Sequence, residues 1–501
     1  MSRRRPLRAL LATLLASASL APAAAAKPPG GLPPDLKPCR LPGVENEAWC
    51  GSLKRALDPS APGGVQIDIH YAVLPAAARH KKPDPVFFLA GGPGQSAIVL
   101  AGPVGRQLAR LNTRRDIVLV DQRGTGRSAP LECERDSPTR PLAEQADPKI
   151  FAAQLAACRT RLQALPYGDL RRYTTTIAMQ DLDGVREKLG AAQLNIVGGS
   201  YGTRAALEYQ RQFPQRVRRS VIDGVAPPDM VLPASFSPDA QASFDAVLAA
   251  CEADAACATR YPTLRADWAR LLAAPATEVT VTHPVTGRSE QLRLSRDTLL
   301  SLVRLPLYTP TLASAVPYAV TEAARGRWEP MIGLSTALMR GRGTALAMGM
   351  HLSVVCAEDW PRMPQANDKP GADFGDSIAT VYRTACAEWP RGEVPADFYR
   401  VPAAPAPMLV LSGGGDPATP PRHGERVAKA LGPKARHVVV AQAGHGVMSL
   451  PCLRDVIFRF IDAADDAAAQ AVDAGCASGV PRPPAFKPVQ PEAVVSAGVG
   501  K

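Results

Sequence analysis

The stretch that most constrains this chain is Gly198-Gly199-Ser200-Tyr201-Gly202. Leu194-Asn195-Ile196-Val197 precedes it, an apolar run that reads as a buried strand. Thr203 to Phe213 follows, where Ala205, Leu207 and Tyr209 suit a helix. Glycines on both sides of a serine, at a strand-to-helix junction, let the backbone turn sharply enough to project the hydroxyl from a sheet edge. Ser200 is the candidate nucleophile on that ground. The same five-residue pattern also arises by chance in a chain rich in Gly and Ser, and the flanking strand and helix are what separate the two readings.

At 501 residues the chain is long enough for two or three domains. Residues 1–26 read as an export signal. Arg3, Arg4, Arg5 and Arg8 form a basic start, Ala9 to Leu20 an apolar centre, and Ala24-Ala25-Ala26 a small-residue cleavage site. A membrane anchor is the competing reading, but the apolar stretch falls short of the ~20 residues that span a bilayer. No stable membrane insertion is expected once the signal is removed. Its loss takes away four arginines and no acid, so the net charge falls from +12 to +8. The remaining Lys and Arg are scattered without a basic run, which fits solvated surface and not a nucleic-acid partner. Ten cysteines fall into five neighbouring pairs, none with the C-x-x-C spacing of zinc or redox sites. Disulfides in an oxidising compartment are the simpler expectation, periplasmic or extracellular, with neighbour pairing as the guess for connectivity.

Lys27 to Pro38 reads as an extended leader, and Val65 to Val73 alternates as a half-exposed strand. Val86 to Ala90 is a buried strand running into Gly91-Gly92-Pro93-Gly94. A glycine loop there lets backbone approach a substrate closely, and Gly92 N–H is the candidate oxyanion donor, with Tyr201 N–H as the second. Asp116 to Val120 is the next strand, ending in Asp121-Gln122-Arg123-Gly124-Thr125-Gly126-Arg127-Ser128; an internal Asp121–Arg123 ion pair is expected to brace the oxyanion loop. Thr174 to Leu189 is an amphipathic helix closed by Gly190, and Arg219 to Gly224 a further strand. Strand and helix thus alternate, giving an α/β fold with a mostly parallel sheet covered by helices on both faces.

The three glycine-bearing motifs at 91–94, 121–128 and 198–203, in that order, resemble the prolyl aminopeptidase and tripeptidyl aminopeptidase family of α/β-hydrolases. The resemblance extends from about Val65 to Gly224, with further matches near the C-terminus. Ala90 stands where prolyl aminopeptidases carry His, which points to the exported tripeptidyl-aminopeptidase-like branch. The resemblance implies an α/β-hydrolase fold and a serine peptidase that releases short pieces from peptides with free N-termini.

Residues 27–228 are accordingly the first part of the hydrolase core and 401–476 the second. Between them, 229–400 carries mainly helical periodicity with one hairpin, Glu278–Thr282 against Glu290–Leu294, and reads as an inserted lid; a tandem domain is the alternative. Residues 477–501, rich in Pro and Ala, read as a loose tail. In the second core part, Met408 to Ser412 leads to Gly413-Gly414-Gly415-Asp416, and His437 to Val440 leads to Gly444-His445-Gly446. Nucleophile, acid and histidine in that order, the latter two after the last strands, make Asp416 and His445 the partners of Ser200. Asp223 is a rival acid because it too ends a strand. Glu358 and Asp359 in the insertion are candidate anchors for the substrate ammonium, against the reading of an ordinary acid pair. No cofactor and no metal are expected. The competing functions are a carboxylic ester hydrolase with the same triad and a binding protein on a hydrolase scaffold.

Overall fold

A computed structural model describes residues 31–134, 137–339 and 345–488; the expected signal at 1–26 lies outside the described residues. Along the chain the strands are β1 (Lys37–Cys39), β2 (Ala48–Ala56), β3 (Gln66–Leu74), β4 (Val86–Leu89), β5 (Ile117–Val120), β6 (Leu194–Gly199), β7 (Val217–Asp223), β8 (Thr277–Thr282), β9 (Ser289–Leu294), β10 (Met408–Gly413) and β11 (Ala435–Val440). All except β8 and β9 form one nine-stranded sheet in the order β1-β2-β3-β5-β4-β6-β7-β10-β11. The first three pairings are antiparallel and every pairing from β5 to β11 is parallel.

The apolar runs explain this layout. β4 and β5 bury every side chain, as strands covered on both faces must. Along β4 the pleat sends Phe87 and Leu89 to one layer with Met179, Val185, Ala205 and Val427, and Val86 and Phe88 to the other with Val104, Leu453, Ile457 and Phe460. The first layer is covered by the Thr175–Lys188, Tyr201–Gln212 and Pro421–Leu431 helices, and the second by the Pro451–Asp462 helix. Because β4, β5, β6, β7, β10 and β11 run together, their carboxyl ends open along one edge, the place where open α/β sheets bind ligands.

Among the described residues between β7 and β10 the regular elements are helices apart from the β8–β9 hairpin, whose register pairs Thr277 with Leu294 and Thr282 with Ser289. The earlier part of this segment has a core of its own around Phe244, Trp268, Leu300, Val320 and Met331. Its later part does not: Met350, Val354, Cys356, Cys386 and Trp389 pack into the same layer as β4 and β6. The insertion is therefore rooted in the sheet domain through the Met348–Glu358 helix.

The loose tail expected for 477–501 needs correction over its described part. Phe486 N–H donates to Ser314 O (3.0 Å), its carbonyl accepts from Tyr261 Oη (2.8 Å), and its ring lies 5.3 Å from Tyr318. Those contacts dock a Pro-rich strand of chain onto the insertion without any periodic pattern to announce it.

All ten cysteines are paired with their sequence neighbours: Cys39–Cys50, Cys133–Cys158, Cys251–Cys257, Cys356–Cys386 and Cys452–Cys476. Cys133 and Cys158 close a loop with a sequence separation of 25. Replacing both by Ser is expected to lower unfolding stability by about 3 kcal/mol, through the freedom returned to the unfolded chain. Denaturant melts of the oxidised protein check this; an unchanged midpoint would remove that bridge from the stabilising set.

Candidate active site

Ser200 sits between β6 and the Tyr201–Gln212 helix at φ 54°, ψ −124°. Besides Ala129 it is the only non-glycine residue with positive φ among the described residues, a conformation that surrounding structure must enforce. The enforcement is visible. Ser200 N–H donates to Asp223 O (2.8 Å), and its carbonyl accepts from Thr203 N (2.9 Å) and Thr203 Oγ1 (2.6 Å). The glycines of the motif leave room: a Cβ at Gly202 would lie 2.1 Å from Leu89 O, and one at Gly198 2.4 Å from Gly202 O. The helix can start against β4 only with those side chains missing.

Asp416, on the loop after β10, is 1% exposed. Its Oδ1 accepts from Ala418 N (2.8 Å) and Thr419 N (2.9 Å), and its Oδ2 from Thr419 Oγ1 (2.8 Å). His445 Nδ1 lies 2.8 Å from the same Oδ2. An ionised carboxylate only accepts, so Nδ1 carries the proton and Nε2 is left as the basic nitrogen. Burial works against both charges, but each stabilises the other: the Asp416 carboxyl is held below its ordinary range, and the imidazole is held above its own. Asp223 adds to the upward pull on His445, and Arg304 opposes it.

Asp223 is not the acid of this pair. Its Oδ2 accepts from Val447 N and Met448 N, both at 2.7 Å, while its carbonyl holds Ser200 N–H. One residue at the end of β7 thereby ties the serine turn to the His445 loop, with its carboxyl pushed up to about 6 by burial. Gly224 follows at φ 65°, where a Cβ would come within 3.4 Å of the His445 ring. From the insertion, Tyr308 O accepts His445 N–H (2.8 Å) and the Tyr308 ring meets the imidazole edge-on at 5.2 Å.

The glycine loop after β4 lies against the serine: a Cβ at Gly91 would be 3.0 Å from Ser200 Cβ. Gly91 N–H is taken by Gln95 Oε1 (3.2 Å), whereas Gly92, at φ 111°, has no acceptor for its N–H among the described residues. Tyr201 is the first residue of its helix, so its N–H lies at the open N-terminal end. The brace expected from an Asp121–Arg123 pair is built differently. Asp121 accepts from Ser96 Oγ (2.6 Å), Ile98 N (3.1 Å) and Arg127 N (3.3 Å), which fixes the glycine loop. Arg123 turns instead to Asp181, with contacts of 2.7 and 2.9 Å.

Glu358 and Asp359 are also placed differently from what an amine anchor requires. Both side chains are fully buried and paired with the equally buried Arg204, Asp359 at 2.9 Å and Glu358 at 3.4 Å. Glu358 further accepts from Thr175 N (2.7 Å) and Thr175 Oγ1 (3.0 Å), and Asp359 from Leu232 N (3.1 Å). Thr175 Oγ1 lies 2.7 Å from Tyr201 Oη. The pair is a structural support behind the elbow, not a surface open to a ligand. Thr419 and Tyr308 touch the His445–Asp416 pair without having been singled out in the sequence; only Thr419, in the Gly-rich turn, stood beside a recognised motif.

A parallel sheet with a strained serine at the end of β6, and a histidine after β11 bonded to a buried aspartate after β10, defines a hydrolase. Consistently, the family described as alpha/beta hydrolase fold matches residues 84–449, and the chain belongs to that family as a serine hydrolase. Among individual relatives it is similar to serine protease Hip1 of Mycobacterium tuberculosis H37Rv, 26% identical over 458 residues that cover 81% of this chain and 84% of that one. The tripeptidyl aminopeptidase of Streptomyces lividans is 32% identical over 192 residues, covering 36% and 35% of the two chains. A proline iminopeptidase of Neisseria meningitidis MC58 is 30% identical over 141 residues, covering 28% and 32%. The resemblance drawn from the glycine motifs is thus borne out at family level.

Proposed function

We propose that the chain is an exported serine aminopeptidase that releases short units, tripeptidyl or prolyl, from peptides with free N-termini. His445 Nε2 takes the proton of Ser200 as Oγ attacks the carbonyl, Asp416 holds the imidazolium, and Gly92 and Tyr201 N–H groups face the oxyanion. The proton then passes to the leaving amine, and water releases the acyl group by the same steps. The insertion between β7 and β10 acts as the lid that shortens the cleft for an exopeptidase. The observation that carries this reading is the 2.8 Å bond between His445 and the buried Asp416, on loops flanking the Ser200 turn. Export is supported by the basic-apolar start of the chain and by five disulfides.

A panel of mono-, di- and tripeptidyl anilides, their N-blocked forms and simple acyl esters tests the reading. Turnover of a free-amine anilide, lost on N-blocking, is the expected result; turnover of esters alone would assign the ester hydrolase instead. Glu358→Gln is expected to change KM for free-amine and N-blocked substrates to the same extent, because its carboxylate serves Thr175 and Arg204. A selective KM increase for free amines would restore it as the anchor.

The imidazole held above its ordinary value sets the acid limb of the pH profile. Since the base must be neutral, kcat/KM is expected to fall as pH drops through a point above the usual ~6.5. Asp416→Asn removes the charge that raises it and is expected to move that limb to lower pH while reducing kcat by about 10⁴-fold. A limb unmoved by the substitution would detach it from His445.

A further inference from the structure

Arg304 ends the Arg296–Arg304 helix of the insertion, half-buried, and among the described residues no carboxylate lies within ion-pairing distance of it. Its Nη2 donates to Tyr308 Oη (2.9 Å), its guanidinium lies 4.7 Å over the Phe236 ring and 5.4 Å from the Tyr308 ring, and its Nε is buried without an acceptor. The helix C-terminus favours a cation there, and stacking on two rings explains how the side chain is held. Neither explains why a partly desolvated guanidinium keeps its Nη1 edge free of any acid in a chain where most buried arginines are paired.

Its position supplies the reason. Tyr308, which Arg304 bonds, is the residue whose carbonyl and ring hold His445. The charge also reaches Tyr382, whose hydroxyl lies 2.9 Å from His351 Nε2, and His351 Nδ1 lies 3.1 Å from Pro93 O in the glycine loop. Arg304 is therefore one hydrogen bond removed from the residue that holds the base, and its charge acts on His445 itself.

We propose that Arg304 is a specificity-determining residue that binds a carboxylate on the leaving fragment of the substrate, either its C-terminal carboxylate or an acidic side chain. This rests on the serine peptidase reading above. Nη1, which has no acceptor among the described residues, and the second Nη2 hydrogen are the donors that can meet a carboxylate. The cation also opposes formation of the imidazolium, whose other charged neighbours are Asp416 and Asp223, and a bound carboxylate offsets that opposition. Acidic leaving fragments consequently gain in kcat as well as in KM.

The test compares the full chain with Arg304→Gln and Arg304→Lys on three matched peptides: free C-terminal carboxylate, C-terminal amide, and amide with an acidic last residue. In the parent protein kcat/KM is expected to favour one or both carboxylate forms over the plain amide, and which one identifies the source. That ratio is expected to fall about 10- to 100-fold in Arg304→Gln, the range for a hydrogen bond to a charged group, and to be partly kept in Arg304→Lys. On the plain amide, Arg304→Gln is expected to move the acid limb to higher pH, since a repelling charge is gone. Equal turnover of all three by the parent protein, or an equal loss on all three in the variant, overturns the proposal. A second pair, 4-acetoxybenzoate and its methyl ester, separates the two readings. An Arg304-dependent preference for the acid form without any peptide turnover would refute the peptidase and keep the carboxylate site; peptide turnover without any carboxylate preference would do the reverse.

Discussion

Ser200→Ala is expected to lower kcat on amide and ester substrates alike by about 10⁶-fold, leaving only the catalysis that binding and the oxyanion donors supply. The loss should be chemical. Ser200 holds its turn through its main chain, donating to Asp223 O and accepting from Thr203 N and Oγ1, and alanine keeps all three bonds and the same Cβ. The melting midpoint is therefore expected to stay in place while turnover disappears, and substrate binding by the inactive protein should remain measurable. Because nucleophile and base act as one unit, adding His445→Ala to Ser200→Ala should cost almost nothing more, although each alone costs nearly the full amount. Labelling by a fluorophosphonate follows the same logic: full in the parent protein, absent in Ser200→Ala. Retained hydrolysis in Ser200→Ala would remove the proposed mechanism, whichever substrate proved to be the natural one.

The parts of this site that could be read in advance are those where local chemistry announces itself. A buried strand running into glycines and then a single polar residue marks Ser200, Asp416 and His445, because within each motif the strand, the glycines and the polar residue are close neighbours in the sequence. The β8–β9 hairpin and the Thr175–Lys188 helix follow from periodicity in the same way. Contacts made across the chain leave no such mark. Arg204 finds Asp359 across a separation of 155 residues, and Arg123 finds Asp181 in preference to its neighbour Asp121. In the first case an acid in a lid motif looked available for a functional role until packing gave it a distant arginine, and in the second an arginine beside an acid took a partner 58 residues away. Arg304 is the sharpest case, since a lone arginine at a helix end reads as surface unless the rings that receive it are known.

Arg204→Met is expected to be the most destabilising single change near the site. Arg204, Glu358 and Asp359 have fully buried side chains, so removing the cation strands two carboxylates in a low-dielectric layer. Breaking a buried pair by deleting one partner costs about 3–5 kcal/mol, mostly from the charge left behind and not from the attraction lost. Burial already pushes the Glu358 carboxyl up to about 7 with Arg204 in place, and without it the shift goes further. The sign of the pH dependence follows. A carboxyl whose folded value lies above its unfolded value takes up protons on folding, so stability falls as pH rises between the two. The deficit of Arg204→Met should accordingly be largest near pH 8 and shrink as pH is lowered toward 5, where the Glu358 carboxyl can be neutral. Denaturant melts of the two proteins at those two pH values measure it. The support also reaches catalysis, because Glu358 holds Thr175, Thr175 meets the Tyr201 hydroxyl, and Tyr201 supplies an oxyanion N–H. Under conditions where the variant stays folded, kcat should drop with KM nearly constant. A deficit independent of pH would mean that Glu358 is not the group left uncompensated.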